Sequence, residues 1–167
     1  MILQKDATIL RKESDPVKEF KAAQPIILQM AEAMFNEPDG IGIAAPQIGF
    51  SLRIFLVAED VLFPERFEEE KKRTKNFITF INPSFTKLSR KKTKDVEGCL
   101  SVRGLYGDVS RPEKVSIEYS DESGKKKSRG AAGLFARVLQ HEMDHLGGIL
   151  FIDRARNIQK LDVSAKS

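Results

Sequence analysis

An α+β fold, with antiparallel strands surrounding one central helix, is predicted by three observations in this 167-residue sequence. First, His141-Glu142-Met143-Asp144-His145 spells H-E-x-x-H near the end of the chain, inside a run with helical spacing. On a helix, residues four apart share a face about one turn from each other, so both imidazoles can converge on one metal ion. Second, short apolar stretches are separated by Gly, Pro, Asn and Asp, the pattern of strands and turns. Third, Ile27, Met30, Ala31 and Met34 repeat at helical spacing, which predicts another helix packed on a core. The metal-binding helix is placed at the centre because His141 and His145 are the chain's only two histidines.

The elements follow in order. Residues 1–17 mix apolar and charged types and end at Asp15-Pro16, a turn or helix-entry signal. A helix is predicted over 22–35, with Pro25 in its first turn, where a missing N–H is tolerated. Asn36-Glu37-Pro38-Asp39-Gly40 stops it. The small residues from Gly40 to Gly49 let a backbone approach another chain or a ligand, or else form a tight structural corner. No G-x-G-x-x-G opens a helix there, which excludes a dinucleotide fingerprint. Residues 52–58 read as a buried strand. The charge run Glu68-Glu69-Glu70-Lys71-Lys72-Arg73 marks 59–76 as a charged surface insertion, a solvated loop or a short exposed helix.

Strand character resumes over 77–82 and ends at Pro83. Arg90, Lys91, Lys92 and Lys94 suit an exposed strand or hairpin within 85–96. Over 114–120, Val115, Ile117 and Tyr119 alternate as in a half-buried strand. Asp121-Glu122-Ser123-Gly124 reads as a hairpin turn into 125–129. The metal helix is predicted over 131–146, with Leu134, Val138 and the two histidines along one side and Phe135 and Leu139 turned to the core. Gly147-Gly148 caps it, 149–152 packs down, and 156–167 is read as a polar tail.

The totals set limits. A chain of this length forms one domain, 1–167, with a core that needs no staples. The 28 basic and 24 acidic residues leave a net charge of +4. That mild excess suits transient work near the ribosome but does not argue for sequence-specific nucleic-acid readout. One cysteine cannot form an internal disulfide, so a reducing compartment is expected. No signal-peptide core is visible, and no apolar run approaches the ~20 residues that span a bilayer. The expected location is the cytoplasm, or an organelle matrix if a transit peptide has been removed, with no membrane association.

A catalytic zinc-type site usually takes three protein ligands and keeps one position open. No third histidine exists. Cys99 does, in Glu97-Gly98-Cys99-Leu100-Ser101. A buried free cysteine is commonly just a small hydrophobe, but a short polar loop after a glycine fits a ligand better. Glu142, beside the first histidine, is close enough to take a proton from water at the site.

Three segments carry a resemblance. Gly40-Ile41-Gly42-Ile43-Ala44-Ala45-Pro46-Gln47, Glu97-Gly98-Cys99-Leu100-Ser101 and Gln140-His141-Glu142-Met143-Asp144-His145-Leu146 resemble, in order and separation, the three motifs of peptide deformylases. The likeness covers nearly the whole chain. It implies a cytoplasmic hydrolase that removes the formyl group from N-formyl-methionyl nascent polypeptides. Carried over by position, it implies Cys99, His141 and His145 as ligands of one divalent metal, natively iron(II), with zinc, nickel or cobalt as substitutes. Glu142 would then be general base and acid, and the Gln47 amide and Leu100 N–H would form an oxyanion hole. Gly42 would bond the substrate backbone, and Ile41, Gly98, Leu134 and Val138 would border the substrate. Two positions depart from the family pattern: Arg103 stands where proline is usual, and Tyr106 where arginine is usual. Without proline's fixed φ, the rim carrying them is expected to order on substrate binding. The alternatives are an H-E-x-x-H metallo-endopeptidase and a deformylase-like binding module that keeps a metal only for its fold.

Overall fold

The computed structural model describes residues 1–68 and 73–161. Helix α1 (Phe20–Phe35) leads into β1 (Gly42–Ala44) and β2 (Ile54–Ala58). After the short α2 (Glu65–Glu68) come β3 (Phe77–Leu88), β4 (Lys92–Glu97) and β5 (Leu105–Pro112). The hairpin of β6 (Lys114–Ser120) and β7 (Lys126–Ala132) feeds α3 (Gly133–Leu146), and β8 (Arg156–Lys160) follows. A five-stranded sheet has the order β1-β2-β3-β6-β7 and a smaller one β4-β5-β8. Every pairing in both is antiparallel. The predicted α+β class holds.

Alternation in β2 organises the core. Successive strand side chains point to opposite faces, and all five residues of β2 are buried. Phe55 and Val57 join Phe80, Ile117, Phe135 and Leu139 on the α3 side. Ile54 and Leu56 join Ile27, Met30 and Met34 of α1. The two helices therefore lie on opposite faces of the large sheet, and α3 lies between that sheet and the smaller one. Leu10, Val102, Val109, Leu150 and Phe151 form a third cluster beneath the small sheet.

Several boundaries differ from expectation. Helix α1 starts at Phe20, which is partly buried against the core, so Pro25 falls in the second turn. Pro25 cannot donate to the Lys21 carbonyl, but both residues face water, where that carbonyl is hydrated. Strand β3 does not stop at Pro83. Asn82 adopts φ 49° and the register slips between Ile81 and Ser84. That bulge takes up a residue without an N–H. Helix α3 begins at Gly133, because Ala131 and Ala132 complete β7.

The polar tail is corrected in part: Arg156–Lys160 is a strand paired with β5. Its five side chains are all exposed, so no apolar alternation marked it. Residues 162–167 lie outside the described residues. The charged insertion opens with a 3-10 turn, Glu59–Leu62, and α2, while 69–72 of its charge run lie outside the described residues. Asp60 is fully buried and accepts from Arg66 at 3.1 Å and from the Thr74 N–H at 3.0 Å. No described helix is long and apolar enough to cross a membrane.

Candidate active site

Helix α3 carries Leu134, Val138, His141, Glu142 and His145 toward a cavity of about 240 Å³. One wall is Ile41 and the start of the edge strand β1 at Gly42, and the other is the 96–106 segment with Gly98, Cys99 and Leu100. Leu134, Val138, His141 and Glu142 of α3 and Gln47 complete the lining. His145, 1% exposed, lies behind this lining. All the residues singled out from the sequence thus meet at one place.

Ligand atoms of Cys99, His141 and His145 lie within 4.8 Å of one another. Cys99 Sγ is 3.3 Å from His145 Nε2. His141 Nδ1 is 3.0 Å from Glu97 Oε2, which leaves Nε2 free to reach a ligand position. One sulfur and two imidazole nitrogens at such spacing match a divalent-metal donor set with one position open. Glu142 fits the same arrangement. It is buried, and its Oε2 has no hydrogen-bond partner among the described residues. Burial pushes its carboxyl up to about 7.

Gln47 is oriented from both ends. Its Oε1 accepts the Ala44 N–H at 2.8 Å, so Nε2 donates to Ser101 Oγ at 3.0 Å and faces Cys99 Sγ at 3.7 Å. Gly42 has a steric reason to be glycine. A Cβ there would stand 2.5 Å from Glu142 Oε1 and 3.0 Å from Val138 Cγ1. A Cβ on Gly98 would meet the Tyr106 ring at 2.7 Å.

Reasoning from residue patterns missed the groups behind the ligands. The buried Glu97 carboxylate accepts from Arg111 Nε and Nη2, from Arg137 Nη1 at 2.8 Å, and from His141. Arg111 also donates to Asp144 at 2.9 Å. Arg137 also donates to the carbonyls of Val109 and Thr93, both at 2.9 Å. Burial would raise Glu97, but Arg111 and His141 hold it well below the usual carboxylate range. A carboxylate on the far nitrogen of a ligating imidazole fixes its tautomer and ring orientation. Only the position of Glu97 beside the cysteine motif hinted at this role, since its partners come from β5 and α3.

Residues 1–161 match the family model described as polypeptide deformylase. A peptide deformylase of Thermus thermophilus is 41% identical over 149 residues, covering 87% of this chain and 77% of that one. A Plasmodium falciparum peptide deformylase solved in complex with an inhibitor superposes with a TM-score of 0.80 at 35% identity, covering 94% of this chain and 90% of that one. The Thermotoga maritima peptide deformylase gives 0.81 at 32% identity, covering 93% and 97%. With fold, length and all three motifs in agreement, the chain belongs to the polypeptide deformylase family.

Proposed function

We propose that Cys99, His141 and His145 hold the one divalent metal on which this deformylase depends, and that Glu142, Gln47 and Leu100 act on the formyl group beside it. The reaction is the hydrolysis of the formyl amide on N-formylated nascent chains, which releases formate. The observation that carries the assignment is the convergence of the three ligand atoms within 4.8 Å, beside a buried carboxylate oxygen with no described partner.

A bound ion supplies Lewis-acid polarisation and lowers the pKa of water at the open position. Glu142 takes a proton from the attacking water and can later return it to the leaving amine. As the formyl carbon becomes tetrahedral, charge builds on its oxygen, where Gln47 Nε2 and the Leu100 N–H donate. The edge strand through Gly42 receives the substrate backbone as an added strand. Ile41, Gly98, Leu134 and Val138 border the methionine side chain, and the cramped site admits a formyl carbon more readily than an acetyl group.

Iron(II) is the proposed native metal, with zinc, nickel and cobalt as substitutes that the same donor set accepts. The whole chain is read as one catalytic domain with a charged surface insertion at 59–76. Its substrate arises on ribosomes, which places the enzyme in the cytoplasm or an organelle matrix and allows transient ribosome contact. The test is formate release from a formyl-methionyl peptide measured alongside cleavage of internal peptide bonds. Formate without internal cleavage is expected. Internal cleavage would identify an endopeptidase, and metal binding with neither product would identify a binding module.

A further inference from the structure

The departures at Arg103 and Tyr106 lie on the wall of the cavity opposite β1. Arg103 does not leave that wall loose. Its Nη2 is 2.7 Å from Glu37 Oε2. Glu37 belongs to the turn between α1 and β1, two residues before Asp39 and four before Ile41, both of which line the cavity. The ion pair therefore joins the two walls between which an extended peptide would run. Gln4 ties the same segment from behind, accepting the Arg103 N–H at 3.5 Å and donating to the Leu100 carbonyl at 3.1 Å.

Within the segment, backbone support comes from few bonds. Val102 N–H reaches the Cys99 carbonyl at 3.0 Å, Leu105 N–H reaches the Val102 carbonyl at 3.4 Å, and Leu161 N–H reaches the Gly104 carbonyl at 2.9 Å, while the Arg103 carbonyl has no backbone partner among these. Gly104 has φ +75°. A glycine with no neighbouring proline leaves such a segment many unbound conformations. A link anchored outside the segment removes them.

We infer that Arg103, through Glu37, is a positioning residue that orders the peptide-binding wall before substrate arrives. The inference rests on the deformylase reading above. Ordering on substrate binding, the expectation from the missing proline, is thereby replaced by ordering through a side-chain pair. The pair is part-exposed, Arg103 48% and Glu37 25%, so its effect is modest and sensitive to salt. It acts on peptide affinity, because neither residue hydrogen-bonds or ion-pairs with the three ligands or Glu142 among the described residues.

The test uses metal-loaded enzyme with Glu37→Gln, Arg103→Gln, the double variant, and the exchanged pair Glu37→Arg with Arg103→Glu. Each single change should raise KM for a formyl-methionyl peptide about two- to five-fold and leave kcat within error. The double variant should be no worse than either single, the exchanged pair should recover most of the loss, and KM should rise with salt in the wild type and the exchanged pair but not in the single or double variants. Amide exchange at Val102 and Leu105 should quicken in both single variants without substrate. Additive KM effects, an unmoved KM, a fall in kcat alone, or unchanged exchange would each overturn the inference. A wild-type enzyme that releases no formate would refute the deformylase reading instead, and the exchange rates would still decide whether the pair orders the wall.

Discussion

At the scale of single residues, the site depends on contacts too close to tolerate one added carbon. Gly42 is the clearest case, because the space a Cβ would take is filled by Glu142 and Val138. Gly42→Ala should push the Glu142 carboxylate off its position and lower kcat by about 10²-fold, since a misplacement of about 1 Å carries a penalty of that size. Denaturant midpoints for the variant should stay close to wild type. Unchanged kcat would show that Glu142 can step aside without consequence. This glycine was legible in the sequence as a place of close approach. What approaches it was not, because Glu142 arrives from a helix a hundred residues later in the chain.

At the scale of elements, two buried carboxylates tie together parts of the chain that are distant in sequence. Glu97 ends β4, Arg111 lies in β5, and Arg137 and His141 lie in α3, so one carboxylate clamps the small sheet to α3. Glu97→Gln leaves the buried Arg137 guanidinium without its charge partner and Arg111 with Asp144 alone, which should cost about 3–5 kcal/mol in denaturant unfolding. It should also weaken metal affinity about 10–100-fold by freeing the His141 ring. A variant with normal metal affinity would show that Glu97 holds only the fold. Asp60 plays the second role, anchoring Arg66 and the Thr74 backbone across the 59–74 connection. Burial opposes its charge, but the Arg66 and Thr74 hydrogen bonds hold its carboxyl below the ordinary 3.8. A depressed folded-state value means stability that is present above 3.8 and lost as pH falls through the folded value. Asp60→Asn should therefore cost about 1–3 kcal/mol at pH 7, and the gap to wild type should narrow only in acid. A gap that persists unchanged in acid would remove the charge from this explanation.

At the scale of the whole molecule, legibility followed burial pattern. Strand β6 and the core stripe of α1 stood out because one face of each is apolar and the other wet. Strand β8 has no buried side chain and exists through pairing with β5, whose own inward positions are Gly107, Val109 and Arg111, an uneven set. No local periodicity could announce that sheet. The three motifs were legible one by one, yet their meeting depends on α3 lying between the two sheets. That arrangement makes one claim central: three side chains hold the metal while Glu142 only moves protons. The most direct measurement is metal content and formate release in Glu142→Ala, determined on the same preparation. Metal content should match wild type while turnover falls by about 10²–10⁴-fold or more. Metal lost in step with activity would contradict this, because Glu142 would then be holding the ion.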